Sequence, residues 1–212
     1  GVAPEPCSVR FRGMSTSGSA ISQWFLQDIP KGGDTVHHVT YHTTPLGRVM
    51  LAAKGDALVG VWFEGQKYFA ASLQGEPEDG GRVPVLVRTG EWLDRYFAGE
   101  RPRIAELKLD PAGSEFRKAV WKILCRIPYG AVTTYGEIAR EITALHGGKT
   151  MSAQAVGGAV GHNAISVIIP CHRVVGSTGS LTGYAGGIDR KIRLLTHEGA
   201  YSESFFVPKA CG

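Results

Sequence analysis

With 212 residues, 43% of them hydrophobic and 20% charged, the chain has enough apolar material for a buried core and enough length for one large domain or two small ones. No stretch approaches the roughly 18 apolar residues of a membrane span, residues 1–22 lack the basic-then-apolar layout of a signal peptide, and four cysteines placed singly at 7, 125, 171 and 211 argue against a disulfide framework and for reduced thiols in a cytoplasm, or a nucleus in a eukaryote. The net charge of +4 is uneven: residues 1–106 hold 11 basic against 12 acidic side chains, and residues 107–212 hold 12 against 7. A basic second half suits a polyanionic partner, although chance variation in surface charge would look the same.

In chain order, residues 1–30 read as a leader, either disordered or left over from expression, rich in Gly, Ser and Pro. Strand-like runs at 36–43, 48–54 and 57–63, parted by turns at Pro45-Leu46-Gly47 and Gly55-Asp56, predict an antiparallel meander. A helical stretch follows near 68–73, then a loop at 74–82. Apolar residues at 92, 93, 96 and 97 predict a helix over 89–97, closed by Gly99 and Pro102. Sparse apolar residues and two prolines in 98–112 place a boundary near 107. Ser114 is a candidate cap for a helix running to Pro128, Thr134 for a helix over 135–145, and Ser152 for a helix over 153–161, with a turn at His146-Gly147-Gly148. The last two helices have the helix-turn-helix shape. The 153–161 helix is nearly bare of side chains, and each interior glycine costs up to about 1 kcal/mol against alanine. Such a sequence fits either a surface made for close approach or a helix packed tightly on its neighbour. A strand over 166–169, a Gly-rich loop over 176–187 and a basic helix over 190–196 complete the chain. The expected architecture is a small α/β domain with an antiparallel sheet (31–106), a mainly helical domain with a helix-turn-helix and an active-site strand (107–200), and a tail (201–212).

The run Ile168-Ile169-Pro170-Cys171-His172-Arg173-Val174 carries the chemistry. A thiol at the end of a buried apolar run, with an imidazole beside it, is the layout of an activated sulfur nucleophile. Neighbours on an extended chain point to opposite faces. His172 therefore serves Cys171 as a base only through a water, or if the backbone turns sharply. An imidazole base needs an acceptor on its other nitrogen, and Glu198 is the candidate. Arg173 is expected to form a structural ion pair.

Taken together, Pro128 to Gly136 (PYGAVTTYG), Ala155-Val156-Gly157-Gly158-Ala159-Val160, Asn163, Pro170 to Val174 (PCHRV), Gly183-Tyr184, and Lys191 with Leu194 to Glu198 resemble the O6-alkylguanine–DNA alkyltransferases, the methylated-DNA–protein-cysteine methyltransferases, over about 113–199. The resemblance implies DNA repair by direct reversal. Double-stranded DNA is bound through the minor groove by a monomer, an O6-alkylguanine is flipped out, and its alkyl group passes once, irreversibly, to Cys171, without cofactor or metal. It implies catalytic roles for Cys171, His172, Glu198 and Tyr135, the last also pushing the DNA backbone during flipping. It places Asn163 as a hinge, Val174, Tyr184 and Lys191 at the guanine pocket, and Gln154, Ala155, Gly158, Tyr135 and Ser177 at the DNA.

Three positions depart from the family pattern. Gln154 stands where an intercalating arginine is usual, Ala164 follows the hinge asparagine in place of proline, and the turn over 142–151 is long. Cys7, His37, His38 and His42 are too irregularly placed for the structural zinc that some members carry. Two other readings compete: a lesion-binding signalling protein that flips without transfer, whose relatives lack the thiol, and an unrelated cysteine hydrolase, which would turn over repeatedly.

Overall fold

A computed structural model of the chain describes residues 36–145, 147 and 150–208; the leader, Cys7 and Cys211 lie outside them. The meander forms as its turn residues dictate. β1 (His37–Thr44), β2 (Gly47–Lys54) and β3 (Ala57–Phe63) pair antiparallel, with a register shift between Ala52 and Ala53 in the β2–β3 pair, and β4 (Glu78–Asp79) adds parallel to β1, for the order β3-β2-β1-β4. Gly47 (φ 117°) and Gly55 (φ 57°) take the left-handed conformations that these turns need.

All seven residues of β3 are buried, because its outer edge is not free. Backbone from the second half pairs with it at two places. Leu58 N donates to Lys108 O (2.8 Å) and Asp110 N to Leu58 O (2.9 Å); further along, Val61 N donates to Ala164 O (2.8 Å) and Ser166 N to Val61 O (2.9 Å). One apolar core accordingly runs from β2, β3 and α1 through α2, α3 and α4 to Leu194. The sheet edge of the first half is the rail on which the segment before Cys171 is hung.

α1 (Pro84–Phe97) starts earlier than the 89–97 expected, with Pro84 in its first turn and Val83 held extended before it. Its buried face is Val85, Leu86, Thr89, Trp92, Leu93 and Tyr96. The expected helix at 68–73 is a string of turns instead. Tyr68 (φ 60°) and Ala70 (φ 53°) are left-handed, which no α-helix accepts. Phe69, Ala70 and Leu73 still reach Met50, Val59 and Trp62 on the sheet, so packing rather than periodicity decides the backbone.

In the second half the caps work as their side chains predict. Ser114 Oγ accepts from Arg117 N (3.3 Å) to start α2 (Glu115–Leu124), and Ser152 Oγ accepts from Ala155 N (3.1 Å) to start α4 (Ala153–Gly161). β5 (Thr133–Thr134) leads into α3 (Tyr135–Leu145) through a capping box. Thr134 Oγ1 accepts from Glu137 N (3.2 Å), and Glu137 Oε2 accepts from Thr134 N (2.8 Å). β6 (Val174–Val175) pairs parallel with β5, and α5 (Ile188–His197) closes the fold. No helix among the described residues is long and apolar enough to cross a membrane.

Candidate active site

The strand expected over 166–169 is not a strand. Only Ile165 bridges to β3; then the chain turns twice. Ile168 N donates to Ser166 O (2.9 Å) around Val167, whose φ of 70° is a strained value for a β-branched residue. Cys171 N then donates to Ile169 O (2.8 Å) around Pro170 (φ −81°, ψ 60°), an inverse γ-turn that proline's fixed φ favours. Cys171, His172 and Arg173 follow as a single 3-10 turn. A sharp backbone turn, not a flat strand, thus carries the thiol and the imidazole.

Asn163 fastens this turn. Its Nδ2 donates to Ile169 O (2.9 Å), Cys171 Sγ (3.0 Å) and Ile165 O (3.2 Å), while its Oδ1 accepts from Ile165 N (3.0 Å). The backbone N–H groups of Cys171 and His172 also favour the charged form of the sulfur. Only 4% of Cys171 is exposed, and burial pushes its thiol up. Asn163 and then the charge of Lys191 pull it back toward the thiolate.

His172 is fully buried; its Nε2 meets Glu198 Oε1 at 2.8 Å. Burial pushes the imidazolium pKa down, so the ring is neutral. A neutral ring facing a carboxylate carries its proton on Nε2, which leaves a lone pair on Nδ1. That atom has no hydrogen-bond partner among the described residues. Glu198 is held far below the usual carboxylate range against the cost of its own burial. His172 and the Arg173 fork (Nε to Oε2 at 2.8 Å, Nη2 to Oε1 at 2.9 Å) hold it there, with Gly130 N at 3.4 Å and the Tyr96 hydroxyl at 2.6 Å. Arg173 makes the structural ion pair expected of it, and its Nη1 also caps Ile127 O at 2.6 Å.

Lys191 is fully buried, not solvent-facing: its Nζ donates to Val174 O (2.5 Å) and Thr182 O (2.7 Å), and burial brings its pKa down to about 8. Thr182 O also accepts from the Tyr135 hydroxyl at 2.8 Å. Burial pushes that phenol up to about 12, so it stays a proton donor. Gly183 beside it is left-handed (φ 74°), and a Cβ there would stand 2.5 Å from Tyr135 Oη, so a side chain at 183 is strained and displaces the phenol. Tyr184 lies edge-on to His172, with centroids 6.5 Å apart, and Val174 is wholly buried below.

A cleft of about 420 Å³ opens beside Tyr184, between Gly157, Gly158, Gly161 and His162 on one side and the 183–188 loop on the other. α4 combines the two sequence readings. Val156, Ala159 and Val160 pack inward, with Ala159 O accepting from Trp121 Nε1 (2.9 Å), while Ala153, Gln154, Ala155 and Gly158 face out as a smooth surface. Ser177 is exposed on the loop after β6. His37, His38 and His42 pair separately with Gln74 O, Glu78 and Asp94, and no group of three metal-ligating side chains occurs among the described residues. The sequence reading missed Tyr96, which comes from the other half of the chain and carries no local signal of its role.

A buried sulfur held by an amide donor, a neutral imidazole backed by a carboxylate, and an adjoining helix pair with a bare outward face are the features of one class: cysteine-bearing group-transfer proteins on a helix-turn-helix scaffold. Residues 37–111 match the family model described as 6-O-methylguanine DNA methyltransferase, ribonuclease-like domain, and residues 115–200 match 6-O-methylguanine DNA methyltransferase, DNA binding domain. The chain belongs to this family. It is 37% identical over 164 residues to the methylated-DNA–protein-cysteine methyltransferase of Haemophilus influenzae, covering 77% of this chain and 87% of that one. It is 42% identical over 166 residues to that of Mycolicibacterium paratuberculosis, covering 77% and 94%. Among solved structures, the Mycobacterium tuberculosis protein in complex with DNA aligns with a TM-score of 0.66 at 39% identity, over 79% of this chain and 96% of that one.

Proposed function

We propose that this chain repairs alkylated DNA by taking the alkyl group of a flipped O6-alkylguanine onto Cys171, once per molecule. The observation that carries the reading is the seat of Cys171 Sγ: Asn163 Nδ2 at 3.0 Å, two backbone N–H groups and the Lys191 charge around it, and His172 with a free Nδ1 next in sequence. The thiol proton passes through a water to His172 Nδ1, leaving a thiolate stabilised by those donors. The sulfur attacks the alkyl carbon; a C–S bond forms, the C–O6 bond breaks, and its electron pair goes to the guanine. Tyr135 gives the leaving base a proton and is reprotonated from His172 through solvent, so the proton lost by sulfur ends on guanine. The thioether is a stable product, so each molecule acts once.

DNA lies with its minor groove on the outward face of α4, where Ala155 and Gly158 allow close approach, and the protein binds as a monomer. Gln154 enters the gap left by the base; Val174, Tyr184 and backbone groups of the 183–188 loop frame the guanine. Ser177 and Tyr135 meet phosphates. Gln154→Arg replaces a neutral contact with a charge-assisted one worth about 1 kcal/mol more, so the Kd for a lesion-containing duplex, measured by fluorescence anisotropy, falls about fivefold. An unchanged Kd would remove Gln154 from the DNA contact.

The deciding experiment mixes reduced protein with a duplex carrying O6-methylguanine and reads the intact mass. The expected result is a gain of one CH2 unit per chain, located at Cys171 by peptide mapping and lost in Cys171→Ala. Lesion binding without a mass gain would favour the signalling reading, and repeated turnover on an ester or amide the hydrolase reading.

A further inference from the structure

We infer that Tyr96, on α1 in the first half of the chain, is a positioning residue that sets the protonation of His172 through the Glu198 carboxylate. The Tyr96 hydroxyl donates to Glu198 Oε1 at 2.6 Å, and Oε1 is the same oxygen that His172 Nε2 meets at 2.8 Å. The two donors compete for one negative charge. The phenol is a fixed partner: burial, the first cause, and then the neighbouring Glu198 charge raise its pKa far above any working pH, so it always donates.

Its place is also fixed. The ring is 1% exposed, stacked on Trp92 and edge-on to Phe97 and Tyr129. Its carbonyl accepts from His197 Nε2 at 2.8 Å, one residue before Glu198. α1 therefore grips the end of α5 at two points, and one of them is the carboxylate that orients the base. The groups facing His172 are Glu198, Arg173, Lys191 and the edge of Tyr184; Tyr129 faces Glu198 in turn. Arg173 and Lys191 oppose a proton on the ring and Glu198 favours one. By withdrawing charge from Oε1, Tyr96 adds to the first side. It keeps His172 neutral with Nδ1 open while still letting Glu198 orient the ring.

Without the hydroxyl, Glu198 presents more charge to His172 and the imidazolium is stabilised. In Tyr96→Phe, which retains the buried ring, the titration midpoint of His172 followed by ring 15N resonances rises by about half a unit to one unit. Because only the neutral ring can take the thiol proton, the acid limb of the single-turnover transfer rate moves up in pH by the same amount. Substituting 3-fluorotyrosine at 96, whose more acidic hydroxyl donates more strongly within the same packing, moves both midpoints down. Unchanged midpoints in the two variants, whatever happens to stability, would overturn the inference and leave Tyr96 a packing residue. The kinetic arm rests on the transfer reading above. A wild-type protein that binds the lesion but gains no mass sinks that reading, while the 15N titration still decides the role of Tyr96.

Discussion

Glu198→Ala lowers the stability of the protein by about 3–5 kcal/mol, the range found when one partner is removed from a buried charge pair. For a chain of this size that is a fall of about 10 °C in Tm. The cost is large because the carboxylate accepts from five donors on four residues, Gly130 N among them. Its removal leaves Arg173 with two guanidinium N–H groups, buried His172 with its Nε2–H, and Tyr96 with its hydroxyl, all unpaired in the interior. The loss also has a pH signature. The folded carboxyl titrates far below its unfolded value of 4.5, so its stabilisation is complete above the unfolded pKa and declines as pH falls toward the folded one. The Tm gap between wild type and variant, followed by circular dichroism, is therefore full at neutral pH and narrows between about pH 5 and about pH 3. A gap that does not change over that interval would mean that the carboxylate is not the ionised hub described. Transfer should also fail in this variant even at temperatures where it is folded, since nothing fixes the imidazole tautomer.

Asn163→Ala is expected to slow alkyl transfer roughly tenfold to a hundredfold at neutral pH, the worth of a lost hydrogen bond to a charged sulfur expressed as thiolate population. The side chain is the fastener of both turns before Cys171 and the sulfur's side-chain donor among the described residues. Without it the burial that pushes the thiol up is less opposed, and the thiolate fraction at a given pH falls. Because the defect lies in ionisation, raising the pH restores part of the rate. Single-turnover rates across pH on protein shown to be folded make the measurement. A variant that reacts at the wild-type rate at neutral pH would show that Asn163 holds the turn but does not tune the sulfur.

Residues whose role is local were legible before any coordinates. Ser114, Thr134 and Ser152 cap helices because a side-chain oxygen reaches an N–H three residues on, an interaction contained within one turn of chain. The PCHRV run and Glu198 stood out by side-chain type, and the fold brings His172 and Arg173 of that run onto the Glu198 carboxylate. Lys191 was harder to read. Its positive charge suggests a surface, yet it shares a helix face with Leu194 and Leu195 at the spacing of buried positions. The carbonyls of Val174 and Thr182, which satisfy its ammonium, come from distant segments.

By itself, the sequence determined the three-strand meander, the helix caps at Ser114, Thr134 and Ser152, and the small-residue face of α4, since each rests on short-range periodicity, capping or side-chain type. Only the tertiary structure decided the two turns at Val167 and Pro170 and the entry of Tyr96 into the Glu198 cluster. Both depend on backbone from the second half pairing with the edge of β3 and on α1 packing against the end of α5, and such long-range contacts override local preference with buried hydrogen bonds that no short stretch of chain can satisfy alone.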